Sequence, residues 1–224
     1  MYEQQKERLK AQDRYTVDDL RLIVTILRSA EGCPWDREQT HKSIIPGMIE
    51  EAYEVVEAIE CENADMLREE LGDVLLQIVF HADIEREHGS FDFDDAVTDI
   101  CRKMIVRHPH VFANVQAKTA DVVLDNWDKI KAQTKHQQDL GERLDSIAKP
   151  LPALIRTQKV MRKTAKEMKV PTPAVSAQLP EAELRLGEAM AEVIRACEAQ
   201  GLEAETVLRH YCDALIGEIK KSNP

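Results

Sequence analysis

Glu50-Glu51-Ala52-Tyr53-Glu54 and Glu69-Glu70-Leu71-Gly72-Asp73, separated by Cys61-Glu62-Asn63-Ala64-Asp65, decide the reading of this chain. The central stretch is a polar break with helix-starting residues between two segments of helical periodicity, so it predicts an antiparallel helical hairpin. Glu51 and Glu54 stand three apart, as do Glu70 and Asp73, which puts each pair on one helix face. Residues equidistant from the turn sit at one level of such a hairpin. Glu51 with Asp73, and Glu54 with Glu70, are each equidistant from residue 62. Four carboxylates thereby converge on one small volume. Charged residues at helical spacing are ordinarily a solvated face. Here the two clusters match in register and no Lys or Arg is interleaved within them, Arg68 alone lying nearby in sequence. Unpaired anions so close repel one another. A hard divalent cation with oxygen ligands is the natural remedy.

The rest of the chain agrees with helix-on-helix packing. Its 224 residues suffice for one large domain or two small ones. Only 4% are aromatic and Gly is scarce at 8, while Ala, Val, Leu and Ile dominate and few segments alternate with period 2. The expected fold class is all-α. A net charge of −11 argues against a surface for polymeric nucleic acid, which needs a basic footprint. It leaves room for a phosphate ligand, because a bound cation inverts the local field. Five cysteines, odd in number and without a CxxC, fit reduced thiols in the cytoplasm. Met1 to Arg14 holds no apolar core of a signal peptide. Runs such as Val74-Leu75-Leu76 are too short to span a bilayer, so no membrane partner is expected.

Several boundaries are legible. Thr16 caps a helix beginning near Val17, with Asp19 in a variant capping box and Leu20, Ile23, Val24 and Leu27 as its apolar stripe. Gly32-Cys33-Pro34-Trp35-Asp36 reads as a turn. The two hairpin helices run from about Pro46 to Glu60 and Asp65 to Glu87. Their expected inner faces include Met48, Ile49, Ala52, Val55, Val56 and Ile59, then Leu67, Leu71, Val74, Leu75, Ile78 and Val79. Gly89 ends the second, and Phe91-Asp92-Phe93-Asp94 starts a helix that His108-Pro109-His110 breaks near Arg107. Further helices are expected over 119–137, 153–168, 181–199 and 203–220, with a linker over 170–180. Lys149-Pro150-Leu151-Pro152 marks a boundary between domains 1–148 and 149–224. Arg185-Leu186-Gly187-Glu188 echoes Glu70-Leu71-Gly72-Asp73, but with Arg185 for the first acid and no EExxE helix before it. The second domain therefore reads as a degenerate repeat.

Lys103 and Arg107 stand four apart on one helix face, either as a phosphate clamp opposite the acidic hairpin or as plain surface charges. Trp35 and Asp36 either line the pocket or anchor packing. His108 and His110 either bind metal or fix a turn. Two Glu-x-x-His strings, Glu38 to His41 and Glu85 to His88, have the form used in di-iron bundles. Glu85 lies about 22 Å along the helix from Glu70, too far to share the acidic site.

With these stretches in view, the chain resembles the MazG family of nucleoside triphosphate pyrophosphohydrolases. The resemblance rests on Gly32-Cys33-Pro34-Trp35-Asp36, Glu50-Glu51-Ala52-Tyr53-Glu54, Glu70-Leu71-Gly72-Asp73, Phe91-Asp92-Phe93, Arg107-His108-Pro109-His110-Val111-Phe112 and Leu151-Pro152-Ala153-Leu154, over about residues 17–160. It implies an all-α, MazG-like helical bundle that uses Mg²⁺, with Mn²⁺ as a substitute, to cleave nucleoside triphosphates to monophosphate and pyrophosphate. It maps metal ligands onto Glu51, Glu54, Glu70 and Asp73. Glu50 and Glu54 become the catalytic acids, with Glu50 either supporting the metal ligands from behind or helping to orient water. Lys103 and Arg107 become phosphate contacts, and Trp35, Trp127 and Lys131 nucleotide contacts. Both the resemblance and the wide apolar faces of the hairpin imply a homodimer, against a monomer in which the degenerate repeat folds back. The alternative function is a non-catalytic nucleotide-sensing or protein-interaction helical module, motivated by the eroded second repeat.

Overall fold

Helix follows helix through the computed structural model, which describes residues 2–113, 119–134, 139–167 and 179–222. The helices are α1 (Glu3–Lys10), α2 (Val17–Arg28), α3 (Pro34–Glu38), α4 (Ile45–Glu60), α5 (Ala64–His88), α6 (Phe93–Arg107), α7 (Pro109–Phe112), α8 (Ala120–Thr134), α9 (Leu140–Asp145), α10 (Ala153–Glu167), α11 (Glu181–Ala199) and α12 (Ala204–Ser222). No strand occurs among the described residues, and no helix there is long and apolar enough to cross a membrane. The protein is all-α. Most of the expected linker, and the ends of the helices expected to reach 137 and 168, lie outside the described residues.

The chain divides into two compact units, residues 1–115 and 116–224. Segment 116–148, grouped with the first domain on sequence grounds, falls in the second unit.

In the first unit α5 is the central helix, packed against α4, α2 and α6, while α3 packs on α2 and α7 on α6. Val24, Ile44, Val79, Phe80 and Ile84 form the core, with Leu20, Leu75, Leu76 and Phe93 against it. Local chemistry sets the helix ends. Thr16 accepts from the Asp19 amide, and the Asp19 carboxylate accepts from the Thr16 amide. Asp92 and Asp95 form the same box at α6. Gly89 ends α5 in the left-handed region at φ 72°, where the amides of Ser90 and Gly89 bond Glu85 O and Arg86 O. Glu62 adopts the same conformation at φ 51° and closes α4 in the same way, with Asn63 N bonded to Ala58 O. Asn63 then caps α5 by accepting from the amides of Asp65 and Met66.

The short helices depart from the sequence reading. α1 was not anticipated, because its polar sequence has no apolar stripe; one buried residue, Leu9, and an Arg8–Asp19 ion pair hold it. The segment read as a turn at 32–36 opens α3, which runs on to Glu38 with Pro34 in its first turn. Gly32 is required there by close approach. A Cβ on it would lie 2.2 Å from both Ile26 O and Leu27 O. Arg28 fastens this corner: its guanidinium donates to Asp36 O, Gln39 O and Glu87, and lies 3.6 Å from Asp83. Asp83 in turn accepts from Thr25 and Arg86.

In the second unit α10 packs against α9, α11 and α12. Gln158, 1% exposed, donates to Glu198 and Leu202 O and accepts from the Ala204 amide, so its amide group is buried with partners on both sides. Gly201 ends α11 at φ 70°, matching Gly89 on α5, whereas Arg185, Leu186 and Glu188 of the echoed string are exposed.

Several apolar residues expected to face inward do not. Ile49, Ile59, Leu71 and Ile78 are exposed on α4 and α5, and so are Val97, Ile100, Ile105 and Val106 on α6. A helix turns its stripe inward only where a neighbour covers it, and the single chain leaves these positions uncovered.

Candidate metal centre

The α4–α5 hairpin positions the acidic residues. Glu51 on α4, with Glu70 and Asp73 on α5, form a half-buried group in which one oxygen from each lies within 4.8 Å of the others. Glu54, half-buried on α4, stands beside this group, close enough to raise the carboxyls of both Glu51 and Glu70. The electrostatics follow from the crowding. Burial, the Glu54 hydrogen bond and the charges of Asp73, Glu54 and Glu70 push the Glu51 carboxyl up to about 7. Burial and then the Glu54 charge raise Glu70 above its ordinary range. These acids hold protons, or a cation, that an exposed carboxylate would not.

A metal fits this donor set. All ligand atoms are carboxylate oxygens, the choice of a hard divalent ion such as Mg²⁺ or Mn²⁺. The raised affinity of Glu51 for a proton is the mark of an anionic site without its counter-ion.

The remaining sequence-derived residues are more dispersed. Glu50 is exposed on α4. On α6, Lys103 is exposed, whereas Arg107 is buried. Trp35 is 65% exposed on α3. Trp127 and Lys131 are half-buried on α8, in the second unit. His108, in the break before α7, bonds through Nδ1 to Met104 O at 2.6 Å, and His110 stands half-buried beside it in α7. A cleft of about 190 Å³ opens between α2, α5 and the start of α6, lined by Arg21, Thr25, Asp83, Arg86 and Phe93 among others. It does not include the acidic group.

Sequence reasoning missed two constellations: the Arg28–Asp83–Glu87 network, and a contact of His41 with His81 and Glu85. The Glu-x-x-His strings signalled the second. Its partners lie about forty residues apart, beyond the reach of periodicity.

A hairpin that aims carboxylates from both helices at one volume defines an all-α protein with an acidic centre of the divalent-cation type. The MazG nucleotide pyrophosphohydrolase domain model matches residues 39–112, which contain the whole centre. A nucleoside triphosphate pyrophosphohydrolase of Escherichia coli (strain K12) is 46% identical over 150 residues, covering 66% of this chain and 57% of that protein. The nucleoside triphosphate pyrophosphohydrolase/pyrophosphatase MazG of Thermotoga maritima is 46% identical over 143 residues, 64% of this chain and 54% of that one. An uncharacterized 26.1 kDa protein of Streptomyces cacaoi is 35% identical over 179 residues, 79% of this chain and 71% of its own length. The chain belongs to the MazG family. It spans a little over half the length of the two named pyrophosphohydrolases.

Proposed function

We propose that this chain is a nucleoside triphosphate pyrophosphohydrolase, converting NTP and water to NMP and pyrophosphate, with Mg²⁺, or Mn²⁺ in its place, held by Glu51, Glu54, Glu70 and Asp73. The observation that carries this reading is the convergence of Glu51, Glu70 and Asp73 from facing helices, with Glu51 pushed up to about 7. The names of the relatives support the same activity. When bound, the metal supplies charge neutralisation for the triphosphate and acidifies a coordinated water. Glu54 adjoins the three-residue group, which suits it to receive the proton of the attacking water. Exposed Glu50 helps to orient that water from the rim. Lys103 and Arg107 take phosphate oxygens, and Trp35 offers an exposed ring to the base. Trp127 and Lys131 contribute further nucleotide contacts.

The working form is a homodimer, a reading supported by the exposed apolar residues Ile49 and Ile59 on α4, Leu71 and Ile78 on α5, and Val97, Ile100, Ile105 and Val106 on α6. Residues 149–224 are a degenerate repeat without a metal centre of the same kind. The cytoplasm suits five free cysteines.

Pyrophosphate release from a mixture of normal and deoxynucleoside triphosphates, with and without Mg²⁺, tests the activity. Metal-dependent release of one pyrophosphate per monophosphate is expected. Nucleotide binding without turnover would instead favour the sensing module.

A further inference from the structure

The two Glu-x-x-His strings come together after all, away from the acidic centre. His41 lies in the turn between α3 and α4, and Glu85 and His88 lie in the last turn of α5. One ligand atom from each is within 4.8 Å of the others. We propose that His41, Glu85 and His88 form a second metal site, selective for a divalent transition ion of the Zn²⁺ class. This site is independent of the pyrophosphohydrolase reading.

The donor set separates the two centres chemically. Two imidazoles and one carboxylate suit Zn²⁺ or Co²⁺, whereas the acidic group, all oxygen, suits Mg²⁺. Three protein ligands also leave a fourth position for water. The separations bracket what a tetrahedral ion needs. Metal–ligand distances of about 2.0–2.1 Å put neighbouring ligand atoms about 3.3 Å apart. His41 Nε2 is 2.5 Å from Glu85 Oε1, and His88 Nδ1 is 3.9 Å from it. The first pair is in hydrogen-bond contact at that distance, and an ion entering between them replaces that contact and widens the pair by less than ~1 Å. His88, 65% exposed, closes the larger gap by turning its ring.

The ring of His41 is already oriented. Its Nδ1 lies 2.7 Å from His81 Nδ1, and the two rings stack with planes 6° apart. One of these nitrogens donates and the other accepts. With its Nε2 on the metal, His41 carries its proton on Nδ1 and donates it to His81. A metal-bound histidine is commonly fixed by such a bond from its other nitrogen. The C-terminal end of α5 adds its own negative potential. The cations that reach this end of α5, Arg28 and Arg86, are engaged with Glu87 and Asp83. An ion here would clip the turn after α3 to the end of α5.

Titration of the full chain with Co²⁺, followed by visible absorption, tests the site. Nitrogen ligation in a four- or five-coordinate site gives strong bands, whereas octahedral oxygen ligation at the acidic group gives weak ones. The parent should show strong bands saturating at one equivalent, and His41→Ala and His88→Ala should lose them. Glu51→Gln should keep them. His81→Gln, which alters only the positioning residue, should keep the bands with affinity about 10- to 100-fold weaker. His88 is exposed at a helix end, so its replacement leaves the fold intact and keeps the test decisive even if His41→Ala unfolds. Absence of strong bands in the parent, or their persistence in His88→Ala, overturns the proposal.

Discussion

Gly47 and Gln77 face each other across the α4–α5 hairpin: a Cβ on Gly47 would lie 2.9 Å from Gln77 Nε2. Both are fifteen residues from Glu62, the residue whose left-handed conformation turns the chain. The same register puts Glu51 level with Asp73 and Glu54 level with Glu70, so the geometry of the acidic centre is set by the turn. Because the neighbour at Gly47 is the end of a flexible side chain, the contact reports register and adds little strain.

Glu54→Gln and Asp73→Asn should each lower NTP hydrolysis by two orders of magnitude or more, beyond the roughly 10- to 100-fold typical of an outer partner. Removing one anion relieves repulsion, so the melting temperature in EDTA should hold or rise. The gain in melting temperature on adding Mg²⁺ and nucleotide should vanish. Near-parental turnover in either variant would remove these residues from the centre.

The metal-free protein should lose stability as pH rises. Glu51 has a folded value near 7 against an ordinary 4.5. A raised carboxyl favours the folded state fully below the ordinary value, and that contribution is lost as pH rises through the folded one. Chemical denaturation in EDTA between pH 4.5 and 8 should therefore show a decline from this group, reduced in Glu51→Gln and opposed by Mg²⁺. A flat difference between parent and variant would contradict the crowding of the centre.

Gly32→Ala should destabilise the protein by about 1–3 kcal/mol, the usual cost of forcing atoms into a filled space. The added methyl meets the backbone oxygens of Ile26 and Leu27, which cannot swing aside as a side chain does. Urea unfolding measures this directly, and an unchanged midpoint would refute the close approach.

Arg28→Met should cost about 1–3 kcal/mol, because it takes a donor from Asp36 O, Gln39 O and Glu87 and leaves the buried Asp83 carboxylate with Arg86 and Thr25 alone. Adding Asp83→Asn should recover part of that loss, since the buried charge is then gone. Failure of the second substitution to rescue would show that Arg28 acts through packing on Phe80, whose ring lies 5.2 Å from its guanidinium carbon.

Light scattering should return about twice the chain mass of 25.5 kDa. Ile49→Glu with Ile78→Glu charges the exposed apolar faces of α4 and α5 and should shift the mass to that of one chain while helix content is retained. A parent mass of one chain would remove the homodimer.

The sequence by itself determined the hairpin, its register, the helix cap at Thr16, the helix start at Phe91-Asp92-Phe93-Asp94, and the family. Each depends on short-range rules: periodicity along one helix, side-chain bonds three residues apart, and a turn that counts off equal distances. Only the tertiary structure decided which carboxylates close into a group of three and which stands beside it, because side-chain rotamers on facing helices answer to packing. It also decided that Arg107 is buried while Lys103, one turn away on the same helix, is exposed. The pairing of Arg28 with Asp83 and Glu87, and of His41 with His81 and Glu85, joins residues some forty to sixty positions apart. Such contacts arise when the path of the α3–α4 segment over α5 is fixed by burial of Ile44, Val79 and Phe80 in a shared core, and helical periodicity carries no information about that path.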